Sequence, residues 1–302
     1  MIFGSFFNVC IYRMPLEKSL GHRSECPSCG AVIRWYDNIP LLSFALLKGK
    51  CRHCKARISW RYPLIELSTA LLFVLMYWWS MNVVPGEMSI KGNSVVNPEL
   101  FIGLLMVSIL IIAMVVDIEH GIVPNTAMYP GLIMMLALVT GLALYRGQPG
   151  RIGLSVASGV IGGGFLLAAG LIYGALFMRK GRVADGEPSE SEPSESKSPE
   201  TDSLLDGEEL ELEDEIPTGI GMGDVKLLAF VGLALGYFHW YLILVALFLG
   251  FLFGAVISVF LMIFKGMGRK DRLPFAPYLA AGSIVALVWG AQLADLYLKL
   301  FT

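Results

Sequence analysis

Seven stretches of this chain are apolar for long enough to cross a bilayer, and nothing else in the sequence restricts the fold as much. They are residues 64–83, 100–116, 122–145, 152–178, 222–238, 241–264 and 275–298. About 20 apolar residues, each rising 1.5 Å along a helix, cover the roughly 30 Å of hydrocarbon in a bilayer. The expected fold is therefore all-α, a polytopic membrane helix bundle with the lipid bilayer as an obligate partner. Composition agrees: of 302 residues, 55% are hydrophobic and 16% charged, against about 45–50% and about 25% in soluble domains. That excludes a disordered chain, a collagen-like chain and a soluble nucleic-acid-binding protein.

The opening MIFGSFFNVCIY is apolar over residues 1–12 only, about 18 Å of helix, too short to cross. It has no basic segment and no small-residue cleavage site, so it does not read as a signal peptide. It reads as a partial first membrane helix, either cut short or entering from one side.

Loop charge sets the orientation. Residues 13–63 carry ten Lys and Arg against three acids, a net +7, and Lys265, Arg269, Lys270 and Arg272 crowd another loop. Both loops are expected to face the cytoplasm, and the number of spans between them agrees. Residues 181–216 are rich in Ser, Glu and Pro and hold fourteen acids against Arg182 and Lys197, a net −12. Such a stretch cannot bury enough apolar surface to offset its ordering entropy. The chain thus divides into a partial helix (1–12), a cytoplasmic loop (13–63), membrane helices (64–178), an acidic linker expected to be disordered (179–219) and further membrane helices (220–302). No internal repeat is visible.

Four of the five cysteines form Cys26-Pro27-Ser28-Cys29 and Cys51-Arg52-His53-Cys54. Two C-x2-C knuckles surround one tetrahedral ion, and an all-thiolate set suits a closed structural Zn²⁺ site. The alternative is two disulfides, which a reducing cytoplasm disfavours. His53 is surplus to four ligands, and Cys10 reads as a packing residue.

Few acids sit at span ends, where an ionisable group is a functional candidate. Asp117 ends one span and Asp224, in Gly219-Ile220-Gly221-Met222-Gly223-Asp224, begins another. The orientation puts both on the cytoplasmic side at similar shallow depth. Two carboxylates brought together share one proton. One then takes a proton from water while the other protonates a scissile carbonyl, which is aspartic-protease chemistry. Gly221 and Gly223 allow a backbone to come close beside Asp224. The plainer alternative is that each Asp caps a helix or sits in interfacial water. Lys226 is read as a snorkelling anchor or as active-site support, and Glu119 and His120 as loop polar groups. Glu66 is either a helix N-terminal charge or part of a polar site. Gly159, Gly162, Gly163 and Gly164 suit small-residue helix packing.

Four blocks together resemble a known family. They are Gly4-Ser5-Phe6-Phe7-Asn8-Val9 through Arg13-Met14-Pro15; the four-cysteine loop with Arg61-Tyr62-Pro63-Leu64-Ile65-Glu66; Asp117 with Val123-Pro124-Asn125; and Gly221-Met222-Gly223-Asp224-Val225-Lys226. The chain resembles the prepilin peptidases of type IV pilus and type II secretion systems, which are leader peptidases and N-methyltransferases of the GxGD aspartyl protease type. The resemblance implies that Asp117 and Asp224 are the catalytic pair and that the substrate is a prepilin or pseudopilin. It implies cleavage after the leader's glycine, methylation of the new N-terminus from S-adenosylmethionine, and a place in the bacterial inner membrane. It also links the cysteine loop to methyl transfer, with Glu66 a candidate on that side. Two departures from the family pattern are the short first helix and the acidic linker. Two other functions stay open: a peptidase without methyl transfer, and a proton-coupled transporter using the two aspartates.

Overall fold

A computed structural model of the chain describes residues 2–82, 97–181, 221–265 and 274–301. The acidic linker expected at 179–219 lies, but for its first three residues, outside the described residues. The described residues are helical, with no named strand among them. Their helices are α1 (Ile2–Arg13), α2 (Leu42–Leu46), α3 (Arg61–Asn82), α4 (Leu100–His120), α5 (Asn125–Tyr145), α6 (Gly150–Gly181), α7 (Met222–Gly236), α8 (Leu242–Lys265) and α9 (Ala276–Phe301). Six of them, α3 to α6, α8 and α9, contain stretches long and apolar enough to cross a membrane. The protein is a multi-pass membrane helix bundle.

Helices α3 to α9 run alternately up and down. Asn97 at the start of α4 reaches the Ser80 carbonyl at the end of α3. At the same end, Arg146 after α5 holds Glu99 and Arg151 of α6 donates to the Tyr237 carbonyl after α7. The opposite end gathers the close of α4 and the starts of α5, α7 and α9. α4 is the most enclosed span, with 56% of its apolar window buried against 28% for α8; α4 is the central post and α8 faces lipid.

The seventh expected span, 222–238, is corrected. α7 has 15 residues, about 22 Å of helix, short of the hydrocarbon thickness. Its apolar residues serve the interior instead: Leu227, Leu228, Phe230, Val231, Ala234 and Leu235 are fully buried. α6 packs antiparallel along it through small residues, as expected for three of the four glycines. A Cβ on Gly159, Gly162 or Gly163 would meet α7 backbone or side-chain atoms at 3.0–3.2 Å, whereas one on Gly164 would meet nothing within 4 Å. Without the side chain, helix axes close up and gain dispersion contacts that lipid cannot supply.

α1 packs antiparallel on α3, with Asn8 donating to the Tyr62 carbonyl. Cys10 is buried in the core, as its apolar setting suggested. Between them, residues 14–60 form the cysteine loop, built from turns, the short helix α2 and two isolated bridges, Glu25 with Val32 and Lys50 with Arg57.

Candidate active site and metal centre

Three helix ends converge on the two aspartates. α4 closes at Gly121, whose N–H returns to the Asp117 carbonyl at 2.8 Å, leaving the Asp117 side chain at the last buried turn, 6% exposed. Its Oδ2 accepts the N–H of Ala276 at 2.9 Å. That N–H is one of the donors a helix start leaves without an intrahelical partner, and the positive end of the α9 dipole favours a carboxylate there. Asp224 sits in the first turn of α7, where its carboxylate senses the charge of Asp117.

Gly223 is what lets α7 in. A Cβ on it would stand 2.6 Å from the Cβ of Val123, in the turn after α4. Gly221 has no such demand, since its Cβ would meet only Asp224 Oδ2 at an ordinary 3.6 Å. Lys226 is neither a snorkelling anchor nor a group aimed at the aspartates. Its Nζ donates to Asn125 Oδ1 at 2.7 Å and lies 4.8 Å from the centre of the Tyr129 ring, so it ties α7 to the start of α5.

Two neighbouring helices run on past the level of the aspartates. Gly163 of α6 is level with Val225 of α7, and Gly254 of α8 with Tyr278 of α9. The apolar stretches of α6 and α8 run on to Ile172 and Phe264, about 14 Å further at 1.5 Å per residue. Exposed Phe165, Ile172, Ile263 and Phe264 cover these overhangs. The two carboxylates share a level in the bundle, at the ends of the α4, α5 and α9 spans, with α6 and α8 extending beyond it.

The four cysteines come together. All four Sγ atoms lie within 4.8 Å of one another, and Cys26 and Cys54 are 3.9 Å apart. A tetrahedral zinc with arms of about 2.3 Å needs sulfur–sulfur edges of roughly 3.8 Å, so the donor set fits one four-thiolate ion. The two knuckles share a backbone plan. Cys26 N–H bonds the Ala31 carbonyl and Cys51 N–H the Ala56 carbonyl. The residue after each second cysteine has positive φ, Gly30 at 67° and Lys55 at 60°; the sequence pointed to the first of these and not the second, because Lys is not a left-handed residue by habit. The Ser28 N–H above all, with the Cys29 N–H and the Cys51 and Cys29 thiols and against its own burial, draws the Cys26 thiol down to about 7. Cys29 goes the other way, up to about 11: the Ala31 N–H favours its thiolate, but the hydrogen bond and charge of Cys26, burial and Cys54 outweigh it. Arg52 Nε donates to Asp37 Oδ2 at 2.7 Å and holds that carboxyl below its usual range. His53 is not among the clustered ligands.

Comparison with known proteins decides the family. The model of the type IV leader peptidase family matches residues 104–259, and that of the bacterial Peptidase A24 N-terminal domain matches residues 1–80. The chain belongs to the type IV leader peptidase family. Three relatives are each called a prepilin leader peptidase/N-methyltransferase. That of Aeromonas salmonicida (strain A449) is 30% identical, covering 99% of this chain and 91% of its own. That of Pseudomonas aeruginosa strain PAO1 is 29% identical over the same shares. That of Bacillus subtilis (strain 168) is 29% identical over 99% and 95%. No solved structure matches this leader peptidase.

The family match spans both aspartates and leaves the cysteine loop to the N-terminal domain. Several positions in the site carry no mark in the sequence. Ala276 contributes only a backbone N–H, which every non-proline residue owns. Glu119, expected as a loop polar group, is held by Arg61 at 2.6 Å, joining the start of α3 to the turn after Asp117. Arg61 lies in a resembling block, yet nothing in one sequence pairs it with Glu119. Glu66 resolves toward a polar site: it is buried, and its Oε2 accepts the Leu41 N–H at 2.8 Å.

Proposed function

We propose that this type IV leader peptidase and N-methyltransferase hydrolyses the leader of a prepilin or pseudopilin between Asp117 and Asp224. The observation that carries the proposal is the convergence of the end of α4 and the start of α7. It brings the half-buried Asp224 within electrostatic reach of the buried Asp117, whose Oδ2 accepts the Ala276 N–H. One carboxylate takes a proton from water as the oxygen attacks the scissile carbonyl carbon; the other gives its proton to the carbonyl oxygen. Collapse of the tetrahedral intermediate breaks the C–N bond: the leaving nitrogen takes the proton first removed from water, and the protonated oxygen returns its proton to the second carboxylate as the C=O re-forms. Both carboxylates end as they began. Gly223 lets α7 close on Val123, and Lys226 holds α7 to the start of α5.

The basic loops support a cytoplasmic position for the cysteine loop and the aspartate pair in the bacterial inner membrane, where a basic leader joined to a hydrophobic helix arrives. Cys26, Cys29, Cys51 and Cys54 hold a structural zinc ion. S-adenosylmethionine is the methyl donor and supplies an electrophilic methyl group for the new terminal amine. The linker at 179–219 acts as a spacer.

Co-expression with a prepilin and mass spectrometry of the product test the assignment. Asp117→Asn and Asp224→Asn should each slow cleavage by about 10²–10⁴-fold or more while the protein stays inserted and melts near the parent temperature. Cleavage at the parent rate by either variant would remove that residue from the mechanism.

A further inference from the structure

The face of α3 that turns away from α1 is a lipid stripe. Glycine at residue 4 lets α1 pack closely on one side of α3: a Cβ there would lie 2.8 Å from the Glu66 Cα. On the other side Leu64, Leu67, Leu71, Val74 and Trp78 are all exposed. Their spacing of three and four residues keeps them on one helix face, and on a span such a face meets hydrocarbon. The stripe runs on past the end of the span. Trp60 precedes Leu64 by four residues, and the Leu64 N–H bonds its carbonyl at 3.1 Å, so Trp60 stands at the head of α3 on the same face. It is 77% exposed. An indole there suits the headgroup boundary, where its ring meets apolar chains and its N–H meets water.

The cysteine loop brings α2 to this point. Phe44 of α2 packs on Trp60 with ring centres 4.9 Å apart, and the Leu41 N–H just before α2 is held by Glu66 of α3. α2 is thereby fixed beside the membrane edge. Its polar side is spent within the loop, where the buried Ser43 hydroxyl donates to the Tyr36 carbonyl. Its apolar side is not. Leu42 and Leu46, one turn apart, are 52% and 72% exposed. Two leucines and a tryptophan presented together on a strongly charged loop mark a contact surface.

Charge selects what covers it. Lys48 follows α2 at once, Lys50 and Arg57 face each other across the bridge at the base of the second knuckle, and all three are exposed. The loop as a whole carries a net +7. A second copy of the same loop, or a basic leader, would bring like charge to it, whereas an anionic phospholipid surface offers both the opposite charge and an apolar layer beneath. We propose that α2 and Trp60 form a lipid-docking wedge. Leu42, Leu46 and Trp60 enter the headgroup boundary of the bilayer, and Lys48, Lys50 and Arg57 meet the phosphates of anionic phospholipids. The wedge extends the lipid contact of α3 onto the loop and holds the four-cysteine cluster against the membrane.

The test uses the full-length protein in nanodiscs of phosphatidylcholine and phosphatidylglycerol, with and without a prepilin in the same discs. Leu46→p-benzoylphenylalanine puts a photo-cross-linker on the exposed side of α2, and Leu71→p-benzoylphenylalanine gives a lipid-facing reference that also reports insertion. Mass spectrometry should find phospholipid adducts at both positions. At 46, phosphatidylglycerol should be enriched at least about twofold over its share of the bilayer, because basic side chains gather anionic lipid. Replacing Lys48, Lys50 and Arg57 together with Gln should remove that enrichment. Adducts at 46 on a second copy of the chain, or on the prepilin, in place of lipid would overturn the proposal and assign the face to that protein. A cross-linker at 46 that captures nothing while the one at 71 captures lipid would leave the face in water and overturn it equally. Lipid adducts without enrichment, or enrichment that survives the triple substitution, would overturn the part given to the basic residues.

Discussion

Gly223 and Val123 touch where a single methyl group would not fit: a Cβ on Gly223 would stand 2.6 Å from that of Val123. Since Val123 follows α4 and Gly223 precedes Asp224, this contact sets how near the second aspartate comes to the first. Gly223→Ala should destabilise the protein by about 1–3 kcal/mol through overpacking and cut leader cleavage at least tenfold. Adding Val123→Gly, which removes that Cβ, should restore part of both. Thermal melts and cleavage of a co-expressed prepilin read the outcome; full cleavage by Gly223→Ala would show that the contact does not position Asp224.

Replacing any of Cys26, Cys29, Cys51 or Cys54 with Ser should remove about one zinc per chain, because a closed tetrahedral site tolerates no missing thiolate. Methylation should fall further than cleavage, since the aspartates arise from helices outside the cysteine loop. Elemental analysis of protein purified under reducing conditions, with mass spectrometry of the pilin product, checks both halves.

The thiols should titrate apart once metal is stripped by a chelator. Backbone N–H groups, that of Ser28 foremost, hold Cys26 at about 7, while Cys29 lies at about 11. The Cys26 thiolate therefore forms as pH rises through about 7, and protons compete for it below that. Thiolate absorbance in the ultraviolet should show one early step, which Cys26→Ser abolishes. A titration with no step below pH 8 contradicts the assignment.

At the opposite end of the bundle, Arg146 Nη2 donates to Glu99 Oε2 at 2.8 Å, and both side chains are nearly or wholly buried. Glu99→Gln strands the guanidinium in the interior, and breaking such a pair costs about 3–5 kcal/mol. Replacing both partners with apolar residues of similar size should cost less. Folded protein of the double variant should cleave at the parent rate, as the pair lies at the far end from Asp117. Reversible unfolding in detergent measures the difference.

Six membrane spans, the aspartate at the end of one, and the paired cysteines were legible because each is written in consecutive residues. Hydrocarbon thickness converts directly into a run of apolar residues, and a four-thiolate knuckle pair into a C-x2-C spacing. The shortness of α7 was not legible for the same reason: a run of apolar residues does not say whether it meets lipid or is buried within protein.

What the sequence determined by itself is an all-α membrane bundle carrying two candidate carboxylates and one four-cysteine cluster. The tertiary structure alone decided which groups meet. Ala276 reaches Asp117 across 159 residues of chain, Lys226 reaches Asn125 across 101, and Asn8 lies against Tyr62 across 54. The physical reason is that helix formation and burial in lipid follow from local composition, whereas these contacts depend on how helices pack. A glycine at 4 or 223 lets two backbones approach, a lysine crosses to a neighbouring helix, and an ordinary backbone N–H becomes the partner of a carboxylate only because a helix happens to begin beside it.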